Sequence, residues 1–502
     1  MDFGEVLRRE ENWTQTENGA DCLKSTGKAI VDLFGVAGAL RLAEDDRVIT
    51  LVSEAYKENA EDAMKLLFYT RDVRGGLGER KVFRTAMKYL ASMHKESVAK
   101  NIHLIGEYGR YDDLLCLIDT PVKMDVLKYI KNTLEDDLNK VKCGEVPTFL
   151  GKWLPNSKNK EYHKEYLLIR NYLGYTDVAY RKTMAKLKKA LDIVEVKMAQ
   201  QKWDEIEYAK LTGGNHKVYS STFMRHDEER FTQYLIDAIE GKAKLNAKTL
   251  YPYEIMEKAI NGNGKINELV CEAMWRNMPD YLADVEDKEA MVIADVSGSM
   301  EGRPLNVAVS LAIYMAERNV GAYKDLFMQF SSSSTIEKIV GETLYRKYSN
   351  INKNIWGSNT NIMGALEQIL RIAVENNVSN KDMIKSLIIV SDMQFDECNR
   401  GGFKQTAYDT MREKYEEAGY KLPRIVFWNV NSTSNTFHAK SNVVGMQMAS
   451  GYGASVFKQV LGGKEIMENI KENTDKESLA EVTAEELVRA VLDLERYAPV
   501  HA

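Results

Sequence analysis

Ala290-Met291-Val292-Ile293-Ala294-Asp295-Val296-Ser297-Gly298-Ser299 is the stretch that decides the fold. Five apolar residues in succession, with none of the gaps of an amphipathic helix, predict a short strand buried on both faces, and such strands belong to parallel sheets. The Asp-x-Ser-x-Ser that closes the run sets an Asp and two Ser at alternating positions around Gly298, so three oxygens can be aimed at one point. A small hard divalent cation such as Mg²⁺ needs oxygen ligands arranged in this way and keeps part of its own water. The same residue types also form an Asx or Ser turn that caps a following helix, and the motif by itself leaves both readings open.

Toward the carboxyl end the alternation repeats. An amphipathic helix from Pro304 to Arg318 is followed by strand-like runs at Leu326–Phe330, Ser386–Val390 and Arg424–Val430, with helical stretches around Asn361–Glu375 and Tyr408–Ala418 between them. Strands alternating with helices predict a mostly parallel sheet covered on both faces, whose ligand site lies beyond the carboxyl ends of the strands. Two further segments fall at that edge: Gly357-Ser358-Asn359-Thr360-Asn361 offers the Thr360 hydroxyl, and Ile388-Ile389-Val390-Ser391-Asp392 ends in a carboxylate. With Asp295, Ser297 and Ser299 they make a candidate cation site.

Three motifs in this order, D-x-S-x-S, a later Thr in G-x-x-T-N and a later strand-end Asp, resemble the metal-ion-dependent adhesion site of von Willebrand factor A domains over about Glu286 to Gly463. The resemblance implies Ser297, Ser299 and Thr360 as direct metal ligands, with Asp295 and Asp392 acting through water or entering directly. It also implies one open coordination position for a carboxylate from a protein partner. One departure is visible. The last motif of that family usually continues Asp-Gly, whereas Asp392 is followed here by Met393-Gln394-Phe395-Asp396.

Upstream the texture differs. From about Asp46 to Met278 the apolar spacing is helical almost throughout, broken by short joints such as Tyr108-Gly109-Arg110 and Leu154-Pro155-Asn156. The expected fold class is therefore α + α/β, with an all-α, HEAT-like domain over 1–285 and a doubly wound, Rossmann-type sheet over 286–502. The joint Arg71-Asp72-Val73-Arg74-Gly75-Gly76-Leu77-Gly78-Glu79-Arg80 is dense in glycine and charge. Arg71, Arg74, Gly75, Gly76, Gly78, Glu79 and Arg80 there read either as a structural turn held by ion pairs or as guanidinium groups presented outward. No phosphate-binding G-x-x-x-x-G-K-[ST] occurs, here or elsewhere.

This joint, together with Tyr108–Leu114, Lys152-Trp153-Leu154-Pro155, Tyr180-Arg181-Lys182, Tyr251-Pro252-Tyr253-Glu254 and Ser391–Asp396, resembles an uncharacterised family of phage, bacterial and plant proteins. That family is similar in layout to the TROVE module of the Ro ribonucleoprotein, in which a helical-repeat domain precedes a von Willebrand A-like domain. The likeness implies binding of structured RNA by a basic helical surface.

Charge bears on that expectation. The 502 residues carry 68 Lys and Arg against 74 Asp and Glu, a net charge of -6, which excludes a protein that coats nucleic acid with its whole surface. The balance is uneven: Val141 to Leu250 holds 20 Lys and Arg against 14 Asp and Glu. A helix expected from Val178 to Met198 would place Met184, Leu187, Leu191, Val194 and Met198 on one stripe and Lys182, Lys186 and Lys189 on the opposite face. With Lys158 and Lys160 these are the candidate RNA contacts, and a merely solvated helix face is the competing reading.

Five scattered cysteines, Cys22, Cys116, Cys143, Cys271 and Cys398, point to reduced thiols and a cytoplasmic location. Neither a signal peptide nor a membrane span is expected. The seven histidines form no zinc motif, and Ser297 has no placed base, so catalysis is not expected. The expectation is a non-enzymatic binding protein that uses Mg²⁺ or another divalent cation, with a protein-interaction scaffold free of RNA as the alternative.

Overall fold

The structure, a computed structural model, describes residues 7, 10–262, 264–351, 357, 359–397 and 404–502. It divides into two compact units, Met1–Asn59 with Leu250–Arg496, and Ala60–Thr249 with Tyr497–Ala502. It is mixed in class, with a helical region in the amino-terminal part of the chain and a six-stranded sheet in the carboxyl-terminal part.

In the first unit, β1 (Trp13–Gln15) and β2 (Asp21–Leu23) form an antiparallel hairpin. The main sheet contains β3 (Ala290–Asp295), β4 (Leu326–Phe330), β5 (Ser334–Lys338), β6 (Ser386–Ser391), β7 (Arg424–Asn429) and β8 (Met446–Ser450) in the order β5-β4-β3-β6-β7-β8. Every pairing is parallel except β4 with β5. All residues of β3, β6, β7 and β8 are buried, because helices cover both faces of a parallel sheet, and this is why the interiors of β3 and β6 run apolar without alternation. The chain steps from β3 to β4 on one side and returns to β6 on the other. The strand order therefore reverses between β3 and β6, the position at which doubly wound sheets open a ligand crevice.

The expected strands all form, and the helices follow within a residue or two at Arg303–Arg318, Ile362–Glu375 and Ala407–Glu417. Four strands escape sequence reading: β1 and β2, three residues each, lie within the stretch expected to be all-α, and β5 and β8 lie in the main sheet. β5, Ser-Thr-Ile-Glu-Lys, is a polar edge strand, and β8 carries Gln447 because that side chain answers a buried cation: Arg424 Nη1 donates to Gln447 Oε1 at 2.6 Å.

A single boundary near 285 does not describe the packing. The helix Ala29–Ala37 packs on β8, where the Ser450 hydroxyl accepts from Gly38 N at 2.9 Å and donates to Phe34 O at 2.9 Å. A Cβ on Gly38 would lie 2.4 Å from Gly451 N, so only glycine permits this approach. β2 exchanges backbone hydrogen bonds with Phe437 through Leu23, at 2.8 and 3.0 Å, and the helix Pro252–Asn261 packs against Arg303–Arg318. These partners are hundreds of residues apart or share no local pattern, which is why composition places the change of texture elsewhere.

The second unit is helical, with no strand among its described residues. The helix expected over Val178–Met198 is two helices, Asp177–Ala190 and Val194–Ala199. Asp192 between them takes a positive φ of 47°, which the α-helix does not admit. Across all described residues, no helix is long and apolar enough to cross a membrane.

Candidate functional site

Asp295 ends β3 fully buried, and its two oxygens are already committed: Oδ1 accepts from Ser297 N at 2.9 Å and Oδ2 from the Ser391 hydroxyl at 2.6 Å. The first bond folds the Asp-x-Ser turn back onto its own strand; the second ties β3 to the end of β6. The hydroxyls of Ser297 and Ser299 stand 3.2 Å apart, Ser297 buried and Ser299 exposed, so the group opens to solvent at Ser299. Asp392, 1% exposed, has the Ser299 side chain acting on its carboxyl and accepts from Gln394 N at 3.1 Å. Four of the five expected residues thus form one group at the strand-order reversal.

Thr360 joins it through the loop that carries Asp392. Thr360 N donates to Asp396 Oδ1 at 3.0 Å and Asp396 N donates back to Thr360 O at 3.0 Å, while the Thr360 side chain is fully buried. Asn361 then caps the next helix by accepting from Gly364 N at 2.9 Å. The G-x-x-T-N segment is thereby a helix start; Ser358 lies outside the described residues.

The departure after Asp392 has a structural answer. Met393 occupies φ 66°, the left-handed conformation that glycine adopts without steric cost. It is held by Met393 N donating to the Ser391 hydroxyl at 3.0 Å and by His438 Nε2 donating to Met393 O at 3.1 Å. A non-glycine residue kept in this conformation marks a backbone path that the surroundings impose.

Two carboxylates buried side by side face only hydroxyls and backbone amides, and neither has an ion-pair partner among the described residues. Burial, and then the charge of Asp392, push the Asp295 carboxyl up to about 7; burial also raises Asp392. Hard oxygen donors with uncompensated negative charge suit a cation of the Mg²⁺ type and offer nothing to a soft metal. No group of three or more His, Cys, Asp or Glu among the described residues makes an alternative centre.

Sequence reasoning missed Ser391, Asp396 and the amino-terminal turn at Thr16–Gly19. Ser391 and Asp396 flank an expected ligand within a quoted motif, so position relative to Asp392 was the available signal. Nothing local marks Asn18, whose amide donates to Thr360 Oγ1 at 3.3 Å across 342 residues.

The joint at 71–80 is tied into its unit through Arg71. Arg71, its side chain 2% exposed, donates from Nε to Asp113 Oδ2 at 2.8 Å. Asp113 also accepts from Arg84 Nε at 2.7 Å and from Arg110 N at 2.9 Å. Gly76 sits where a Cβ would lie 1.9 Å from Tyr69 O, and Gly78 has φ 70°. Glu79 is buried, Gly75 is half-buried, and Arg74 and Arg80 are exposed, Arg74 donating to Glu107 O. Lys158, Lys160, Lys182, Lys186 and Lys189 are all exposed and carry no ion pair among the described residues, with Met184 and Leu187 turned inward as expected.

Against known proteins, residues 289–493 match the family described as a domain of unknown function, DUF7788, and residues 16–137 and 149–291 match a second, DUF2828. The chain is 28% identical over 497 residues to the uncharacterized protein L728 of Acanthamoeba polyphaga mimivirus, covering 90% of this chain and 85% of that protein. The DUF2828 match extends over more than half of the sequence, and the chain belongs to that family.

Proposed function

We propose that this protein is a non-enzymatic binding protein in which Asp295, Ser297, Ser299, Thr360 and Asp392 hold Mg²⁺, or another divalent cation, so that a carboxylate of a protein ligand completes the site. The observation that carries the reading is the meeting of two buried, unpaired carboxylates with the Ser297 and Ser299 hydroxyls where the strand order reverses. The geometry is compatible with a von Willebrand A-like adhesion site. The bound cation would supply the positive charge these carboxylates lack.

The second half of the reading is RNA binding by the helical unit. It is supported by the five exposed, unpaired lysines, three of them on one face of Asp177–Ala190. The layout similar to TROVE points the same way, and a scaffold that binds protein alone is the alternative. The free thiols of Cys22, Cys116, Cys143 and Cys271 suit a reducing, cytoplasmic setting; Cys398 lies outside the described residues.

Calorimetric titration of Mg²⁺ tests the site. The parent binds, and Asp295→Ala and Ser297→Ala lose the binding; unchanged binding by both variants would reject the ligand assignment. RNA turnover that requires both Mg²⁺ and Asp295 would overturn the non-enzymatic reading.

A further inference from the structure

At the opposite edge of the main sheet, where β3, β6 and β7 begin, the segments leading into these strands leave a cavity of about 620 Å³. Pockets of this size hold drug-sized molecules. The cavity shares no lining residue with the candidate cation site, and all of its lining belongs to the first compact unit. Met383, Ile384, Leu422 and Leu479, each less than a tenth exposed, give it an apolar wall.

Its charges do not cancel. Five cations and three acids line it, and two of the acids are spent within the lining. Asp287 Oδ2 accepts from Arg424 Nη2 at 2.8 Å, and Glu289 pairs with Lys385 at 2.8 Å. The third acid, Glu286, has the charge of Lys471 acting on it, and Lys288 Nζ donates to Ala283 O at 3.3 Å. Lys381 and Lys421 remain, both exposed and neither with an ion pair among the described residues. One side chain holds their segments together: Asn380 Nδ2 donates to Gly419 O at 3.0 Å, and Asn380 Oδ1 accepts from Lys421 N at 2.9 Å. The two unpaired ammonium groups therefore spring from backbone fixed at one rim of the cavity.

We infer that this cavity is a binding site for a small organic anion, with its apolar body against Met383, Ile384, Leu422 and Leu479 and a single carboxylate at Lys381 and Lys421. Charge-assisted hydrogen bonds to a carboxylate give both lysines the partner that the chain does not supply. A neutral molecule of the same shape leaves them unpaired, and further negative charge on the ligand would meet Glu286 and Glu289. The inference is independent of the reading of Asp295 and its neighbours as a cation site.

Calorimetric titration of octanoate into the full chain in EDTA, with 1-octanol as the uncharged control, tests it. The parent binds octanoate, and binds octanol about tenfold more weakly. Lys381→Gln and Lys421→Gln together bring octanoate down to the level of octanol and leave octanol binding and the thermal transition unchanged, since both positions are exposed. Ala480→Trp, at an exposed lining position, places an indole in the mouth and weakens both ligands. Asp295→Ala binds octanoate like the parent. The inference falls if the parent does not bind octanoate, if the double lysine variant binds it as tightly as the parent, or if Ala480→Trp leaves it unchanged. Loss of octanoate binding in Asp295→Ala would move the ligand to the other edge of the sheet and overturn the inference as well.

Discussion

Asp295 and Asp392 place two carboxylates in a buried corner with only hydroxyl and backbone donors for company, and this arrangement costs stability unless a cation is present. Asp295→Asn keeps the shape and one acceptor while removing a charge. In EDTA the variant should melt at a higher temperature than the parent, by on the order of 1 to 3 kcal/mol of unfolding free energy. On adding Mg²⁺ the parent should rise and the variant stay where it is, since only a protein that binds the ion in its folded state gains from it. A thermal scan of both proteins under both conditions decides this, and a variant less stable than the parent in EDTA would refute like-charge strain. Asp295, Ser297, Ser299 and Asp392 were legible as residues because a strand end followed by alternating oxygens is a local pattern. The conformation of Met393 was not, since the residue name gives no hint of a positive φ that His438 and Ser391 enforce from elsewhere.

Elements were readable where one face or both were uniformly apolar, as in β3 and Arg303–Arg318, and unreadable where a polar residue was buried against a distant partner, as Gln447 of β8 is against Arg424. The joint between the helices Ala60–Arg71 and Arg80–Met93 shows what its glycines are for. Gly76→Ala drives a methyl group into the Tyr69 carbonyl and should cost about 1–3 kcal/mol or more, whereas Arg74→Ala, at an exposed position, should cost well under that. Urea unfolding of the two variants compares them directly, and equal costs would refute the close-approach argument. In the same unit His216, between Gly213 and His226 on one helix, is fully buried against Phe231 and Tyr234. Its Nε2 hydrogen-bonds Tyr208 O at 3.0 Å and its Nδ1 meets no partner. Burial therefore lowers its pKa from 6.5 to about 4. The unfolded chain takes up this proton first as pH falls, so the contribution to stability is intact above about pH 6.5 and is lost between there and about pH 4. Between about pH 7 and about pH 5 the loss should be about 2 kcal/mol, and His216→Phe should remove that part of the slope in denaturant titrations.

At the scale of the whole molecule the net charge of -6 conceals a segment, Val141–Leu250, that carries 20 basic against 14 acidic residues. Charge distribution was legible by counting. The pairing of residues 1–59 with the carboxyl-terminal sheet was not, because hydrogen bonds such as Thr16 to Phe395 span 379 positions and leave no periodic trace. The uneven charge leads to the most exposed part of the functional reading. Lys182, Lys186 and Lys189 recur at helical spacing on Asp177–Ala190, whose Met184 and Leu187 anchor the opposite face, so the three ammonium groups form a stripe that packing does not need. Each phosphate they neutralise releases counterions, and five contacts, counting Lys158 and Lys160, would give a slope of log K on log salt of about −4. Fluorescence anisotropy with a structured RNA across a salt series should show that slope. Lys182→Gln, Lys186→Gln and Lys189→Gln together should flatten it by about 2 to 3 without moving the thermal transition, since exposed charges contribute little to stability. Asp295→Asn should leave the slope as it is, because the cation site lies in the other compact unit. Binding that is absent at low salt, or a slope the triple variant does not change, would assign the stripe to solvation and the protein to the scaffold reading.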